Sequence, residues 1–182
     1  MRKLAPAFVA ATFAATALAA SASTASAASG PTIVDVAVDA SGGGSFDSDH
    51  GDFDILVQAV VATGLDGFLS GNGQHTVFAP TDQAFLDLTG ATTESAAFDA
   101  AVALLGVDGV RDVVSYHVAP GKRLSGDVVD ATRIRTVTRS FITKDAGSTV
   151  LTDGSGNDVQ IIAVDIPASN GVIHVIDSVL LP

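Results

Sequence analysis

The chain has 182 residues, with 9 Lys and Arg against 20 Asp and Glu, a formal charge of −11, and no cysteine. That acidity argues against nucleic acid and anionic membranes as partners, because both are bound chiefly through Lys and Arg. The missing cysteines exclude disulfides and thiolate zinc ligands.

Met1-Arg2-Lys3 is a short basic start, followed by an uncharged, mostly apolar run from Leu4 to Ala20. Ala25-Ser26-Ala27 has the small-x-small form that signal peptidase accepts, so a signal peptide over 1–27 is expected, with cleavage after Ala27 and export. The apolar run is shorter and richer in alanine than a membrane span of about 20 strongly apolar residues. Loss of Arg2 and Lys3 takes the formal charge from −11 to −13. The stop at Pro182 directly after an apolar run leaves no tail for a sorting signal or glycolipid anchor, and a freely released protein is the expectation. Residues 28–182 are expected to fold as one domain, since a chain of about 150 residues buries roughly 68–70% of its unfolded surface.

Thr32–Val38 is mixed and suits either a strand or a helix, and Ser41-Gly-Gly-Gly-Ser45 reads as a loop. From Asp52, the apolar residues Phe53, Leu56, Val57, Val60 and Val61 recur at helical spacing, with Asp52 as N-cap and Gly64 as stop. Thr76–Ala79 reads as a strand, and further helices are predicted over Asp82–Leu88, Glu94–Leu105 and Asp108–Tyr116. The stripe Phe98, Ala101, Val102 and Leu105 should face the core in one of these, and Val110, Val113 and Val114 in the next. After Gly121 the texture changes to short Val-, Ile- and Thr-rich segments near Arg133–Thr138, Ser140–Lys144, Thr149–Thr152, Val159–Val164 and Gly171–Leu180. Asp145–Ser148 and Asp153–Asn157 have the chemistry of hairpin loops. Helices first and strands later predict an α+β fold with a mostly antiparallel sheet. Lys122, Arg123, Arg133, Arg135 and Arg139 cluster, as expected of a solvated strand face.

Two long segments and a short one between them carry more specific information. His75-Thr-Val-Phe-Ala-Pro-Thr-Asp-Gln-Ala-Phe85 is a strand running into a helix, with Thr81 placed to cap it and Asp82 at the positive end of its dipole. Tyr116-His-Val-Ala-Pro-Gly121 follows, and then Asp165 to Pro182, a turn into a final strand. In this order the three closely resemble the signature blocks of the fasciclin domain family, over roughly Pro31 to Pro182. The resemblance implies a fasciclin-like β-sandwich or wedge of mostly antiparallel strands packed with several short helices, secreted or displayed at cell surfaces and serving adhesion. It also implies that the first and last blocks lie on neighbouring strands, which makes Thr81, Asp82, Asn170, Gly171 and His174 structural residues. Strand alternation independently puts His174 on one face with Val172 and Ile176. In matrix members of the family, adhesion is assigned to an Asp-Ile pair before the last block and to the Tyr-His pair. The matching residues here, Asp165, Ile166, Tyr116 and His117, are therefore the partner-binding candidates. The residues flanking the Asp-Ile pair depart from that pattern: Ala163 and Val164 replace an acid and a proline, and Pro167 replaces a Met.

The acidic loop holding Asp47, Asp49, His50, Asp52 and Asp54 fails the EF-hand pattern, since Gly51 falls at position five and Gln58 at position twelve. A solvated loop is the plainer expectation, with Asp47, Asp49 and Asp52 as candidates for a looser Ca²⁺ site, and Asp153 with Asp158 as a weaker variant. There is no Gly-x-Ser-x-Gly elbow, no His-Glu-x-x-His and no phosphate-cradling glycine loop before a helix, so neither catalysis nor a cofactor is expected. Without Trp and with a single Tyr, a sugar platform is disfavoured. A secreted, non-catalytic protein-binding module is the leading reading, with an unidentified extracellular or cell-surface protein as its partner. Ligand binding and an unrecognised hydrolase are the alternatives, and self-association through Asp165-Ile166 or a sheet edge stays open.

Overall fold

A computed structural model describes residues 30–182, and the expected leader lies outside the described residues. Two helices precede the first strand and a short third leads into it: α1 (Ile33–Ala40), α2 (Asp54–Thr63) and α3 (Asp66–Leu69). Thr32–Val38, which suited either strand or helix, is helical because Thr32 and Asp35 cap each other in a reciprocal box at its start. β1 (His75–Pro80) leads into α4 (Asp82–Thr89) and then α5 (Glu94–Tyr116). Two helices were expected where α5 runs, and the break between them is at Gly106, whose φ of 69° only glycine adopts readily. The break turns the apolar stripe aside: Phe98, Ala101 and Val102 reach the core, whereas Leu105 is exposed. Beyond it, Val110 and Val114 are buried as expected.

The remaining elements are β2 (Val118–Pro120), α6 (Ser125–Asp130), β3 (Arg133–Arg135), β4 (Phe141–Thr143), β5 (Val150–Thr152), β6 (Asp158–Ala168) and β7 (Gly171–Ile176). They form one seven-stranded sheet in the order β2-β1-β7-β6-β5-β4-β3. Every pairing is antiparallel except β1 with β7, which runs parallel from His75 opposite Gly171 to Pro80 opposite Ile176. The strands thus form a mixed, continuous sheet bent into a wedge and not the two separate sheets of a sandwich. The bend is in β6, whose first half pairs with β5 and whose second half pairs with β7 across register shifts at Ile161/Ala163 and Ala163/Ile166. Bulges of this kind bend a strand and raise its twist.

Alternation along β1 and β7 feeds two cores. Val77, Ala79, Ile173 and Val175 point into the helical layer, beside Ile55, Leu56, Phe85 and Val114. Phe78 and Ile176 point the other way, onto Ile134, Ile142, Leu151 and Val159 of the folded-over half of the sheet. Every residue of both strands is buried, because both faces are covered. Each large apolar side chain so enclosed contributes about 1.5–3 kcal/mol. Both sheet edges are three-residue strands, one ending in Pro120 and the other carrying exposed Arg133 and Arg135, features that discourage edge pairing.

Candidate functional site

Asp165 and Ile166 lie in the bulged part of β6. Asp165 has a φ of 59°, and its carboxylate accepts from the backbone N–H of Ser125 at 2.8 Å and the Ser125 hydroxyl at 2.5 Å. Asp165 therefore ties β6 to the start of α6. The Ser125 hydroxyl holds its carboxyl below the usual carboxylate range, against the opposing pull of desolvation. Ile166 is half-buried and packs on the helical core. What the bulge presents outward is its neighbours: Ile162 is 56% exposed and Val164 46%, with Ala163 exposed between them.

The Tyr-His pair faces inward. Tyr116 is fully buried, and its hydroxyl donates to the Phe141 carbonyl at 2.9 Å. His117 is also buried; its Nδ1 bonds the Val113 carbonyl at 2.8 Å, and its Nε2 accepts from the Leu180 N–H at 2.9 Å. Burial pushes its pKa down to about 4, so it stands neutral. Both side chains are packed inside the fold and present no surface of their own. The signature residues are structural in more particular ways than their positions suggested. Asn170 donates from Nδ2 to the Leu69 and Gly71 carbonyls and accepts at Oδ1 from the Ile33 N–H, so one side chain joins the starts of α1 and β7 to the end of α3. At Gly171 a Cβ would stand 2.0 Å from the His75 carbonyl oxygen, so the parallel pair closes only around glycine. His174 is buried on the face of Val172 and Ile176; its Nε2 bonds the Arg123 carbonyl at 2.9 Å, and its Nδ1 accepts from the Asp165 N–H at 3.3 Å. Thr81 makes no side-chain cap, contrary to expectation, because the first N–H groups of α4 are taken by the His50 and Asp52 carbonyls.

The second concentration of chemistry is where α2, α4 and α5 begin. Asp52 does not cap α2; the Asp82 carboxylate does, accepting from the N–H groups of Asp54 and Ile55 at 2.9 Å each. Glu94, at the start of α5, accepts from the Asp47 N–H at 2.7 Å and pairs with His50 Nδ1 at 3.0 Å. Asp52, Asp54, Asp82 and Glu94 are all buried. Burial pushes the Asp54 carboxyl up to about 6, aided by the charges of Asp52, Asp47 and Glu94. Burial likewise drives Asp82 well above the usual carboxylate range, with Asp52 adding to the effect. Asp49 stands apart: it is exposed and closes a local turn onto the Gly51 N–H. Of the three aspartates singled out as Ca²⁺ candidates, Asp47 and Asp52 join the group; Asp54, named in the same acidic loop but not as a candidate, joins it too, while Asp82 and Glu94 were missed as members. Asp153 offers no free carboxylate, since it accepts from the N–H groups of Ser155, Asn157 and Leu181 and from the Asn157 side chain.

The sequence profile of the fasciclin domain matches residues 51–182. The chain belongs to the fasciclin domain family. Protein sll1483 of Synechocystis is 37% identical over 132 residues, covering 71% of this chain and 67% of that protein. Protein sll1735 of the same organism is 34% identical over 152 residues, or 83% of this chain and 98% of the relative. Transforming growth factor-beta-induced protein ig-h3 of Sus scrofa is 30% identical across 71% of this chain, which corresponds to 18% of that much longer protein. Among solved structures, a FAS1 domain pair from the insect cell adhesion molecule fasciclin I superposes with a TM-score of 0.60 at 18% identity, covering 84% of this chain and 51% of that one. That likeness shows a shared fold. In this fasciclin domain the first and last signature blocks form the parallel β1–β7 pair, as the resemblance implied.

The fold also brings a serine, an aspartate and a histidine together, in an order unlike a hydrolytic triad. Ser125 bonds the Asp165 carboxylate directly, and His174 meets only the Asp165 backbone. A general base must reach the nucleophile's proton, and His174 has both ring nitrogens engaged elsewhere. A small cavity between α1, α2 and β1 measures about 30 Å³ and is lined by apolar side chains and His117. It has room for about one water molecule and none for an organic substrate.

Proposed function

We propose that this fasciclin domain is a secreted, non-catalytic protein-binding module whose partner docks on the bulged part of β6, around Asp165-Ile166. The observation that carries the reading is the apolar pair Ile162 and Val164, exposed on a strand that is otherwise tied into the fold on both sides. Desolvated apolar residues beside a fixed polar anchor are what a protein contact uses. Asp165 is such an anchor, since its bonds to Ser125 hold it in place before any partner arrives.

Several features support the other parts of the reading. The basic start, apolar run and Ala25-Ser-Ala27 site favour export. No described helix is long and apolar enough to cross a membrane. The acidic surface disfavours nucleic acid, and the wrong order of Ser125, Asp165 and His174 disfavours hydrolysis. The adhesive role named for the insect protein of the same fold points in the same direction.

The test is attachment of beads coated with the chain to cells and extracellular matrix from its native surroundings. Replacing Ile162 and Val164 by Asp should lower attachment at least tenfold while the melting temperature moves little, as exposed substitutions usually change stability by less than about 0.5 kcal/mol. Unchanged attachment in that double variant would remove β6 from the interface.

A further inference from the structure

Five carboxylates, Asp47, Asp52, Asp54, Asp82 and Glu94, meet where three helices begin. Among the described residues the only ion pair is His50 with Glu94, so neither Lys nor Arg offsets this charge. Each helix N-terminus supplies roughly half a positive charge, and three of them cannot balance five carboxylates.

One residue in the group points beyond a structural role. Asp54 is 0% exposed, yet neither of its carboxylate oxygens has a hydrogen-bond partner. The nearby Ser41 hydroxyl is spent on the Ala37 and Val38 carbonyls. A buried carboxylate with no donor is costly unless it is protonated or holds a cation. Asp52, 9% exposed, likewise has an unpartnered Oδ1. One carboxylate oxygen from each of Asp47, Asp54 and Glu94 lies within 4.8 Å of the others, and Asp52, Asp82 and Glu94 form a second such set sharing Glu94. Oxygens no farther apart than this can share one calcium ion, since Ca–O distances near 2.4 Å put two ligands on opposite sides of the ion about 4.8 Å apart. All the donors are hard carboxylate oxygens, and Asp47 at the rim is exposed, leaving a way in from solvent.

We infer that this junction is a Ca²⁺ site, with Asp47, Asp54 and Glu94 as ligands and Asp52 and Asp82 as the adjoining carboxylates that complete it. The ion would join the Ser45–Phe53 loop to the starts of α2 and α5, bracing the helical layer. The site lies on elements other than β6 and stands independently of the partner-binding reading.

The experiment is calorimetric titration of the EDTA-stripped, dialysed full chain with calcium chloride, paired with melting curves. One ion should bind per chain and raise the melting temperature, with magnesium chloride binding more weakly. Asp54→Asn and Asp47→Asn should each weaken calcium binding at least tenfold. Asp47 is exposed, so its variant decides the matter if Asp54→Asn fails to fold. No heat and no thermal shift up to about 5 mM calcium, above the ~10⁻⁴–10⁻³ M dissociation constants of extracellular calcium modules, overturns the site. Wild-type affinity in a folded variant, or magnesium binding as tightly as calcium, also overturns it.

Discussion

Gly171 shows how little room the framework leaves at single positions. A methyl group there would meet the His75 carbonyl at 2.0 Å, a backbone atom that cannot move without breaking the β1–β7 ladder. Gly171→Ala should cost about 3 kcal/mol or more, the upper range of overpacking effects, read as a lower denaturant midpoint. Asn170→Ala should cost about 2–4 kcal/mol, because it strands the Ile33 N–H and the Leu69 and Gly71 carbonyls together. His117 carries a pH signature. Its pKa is about 4 in the fold and near 6.5 when unfolded. The unfolded chain therefore takes up the proton first, and the contribution to stability is complete above pH 6.5 and lost as pH falls toward 4. Its imidazole NMR resonances should hold their neutral positions from pH 8 to pH 5. A midpoint near 6.5 would mean that His117 is not enclosed as described.

At the scale of elements, the three helix starts predict the opposite pH response. Asp54 and Asp82 bind protons more tightly in the folded chain than in the unfolded one. Without divalent cations, stability should therefore rise as pH is lowered from 8 to 6, before the His117 effect grows. Scanning calorimetry in EDTA measures this, and at pH 8 Asp54→Asn should raise the melting temperature by roughly 2–4 °C, the shift expected for about 1 kcal/mol. A melting temperature that falls between pH 8 and pH 6 would contradict the burial of these carboxylates.

The same scale shows what could be read from the sequence. The helices α2 and α5 declare themselves by apolar spacing, and Val172–Ile176 by a short apolar run, because both faces of β7 are covered. α3, α6 and β2 are too short to show a period, and their positions are set by neighbours: α6 is held at its start by Asp165 and at its end by the buried Lys144 ammonium, which donates to the Val129 and Ala131 carbonyls. The acidic junction was half visible. Asp47 and Asp52 share a loop, but Asp82 and Glu94 arrive from other helices, and a search for contiguous metal loops has no means of pairing them. Likewise the Tyr-His motif was legible as a motif, while its inward direction depends on what covers it: the folded-over half of the sheet for Tyr116, and the end of α5 with the Leu180 backbone for His117.

The whole molecule is a wedge with both faces of its central strands covered, so that the proposed partner would have to use what projects from the periphery. Ile162 and Val164 stand two residues apart and so project to the same, solvent side of β6; the register shifts in this strand also leave Ala163 exposed between them, where regular alternation would bury it. The most direct test is site-specific photo-crosslinking of the chain in its native surroundings. A photoreactive side chain in place of Val164 on β6 is compared with one in place of Val61, which is somewhat more open to solvent but lies on α2 in the helical layer. The account predicts a discrete protein adduct from position 164 and none from position 61. Adducts from position 61 alone, or the same adduct from both positions, would contradict docking on β6.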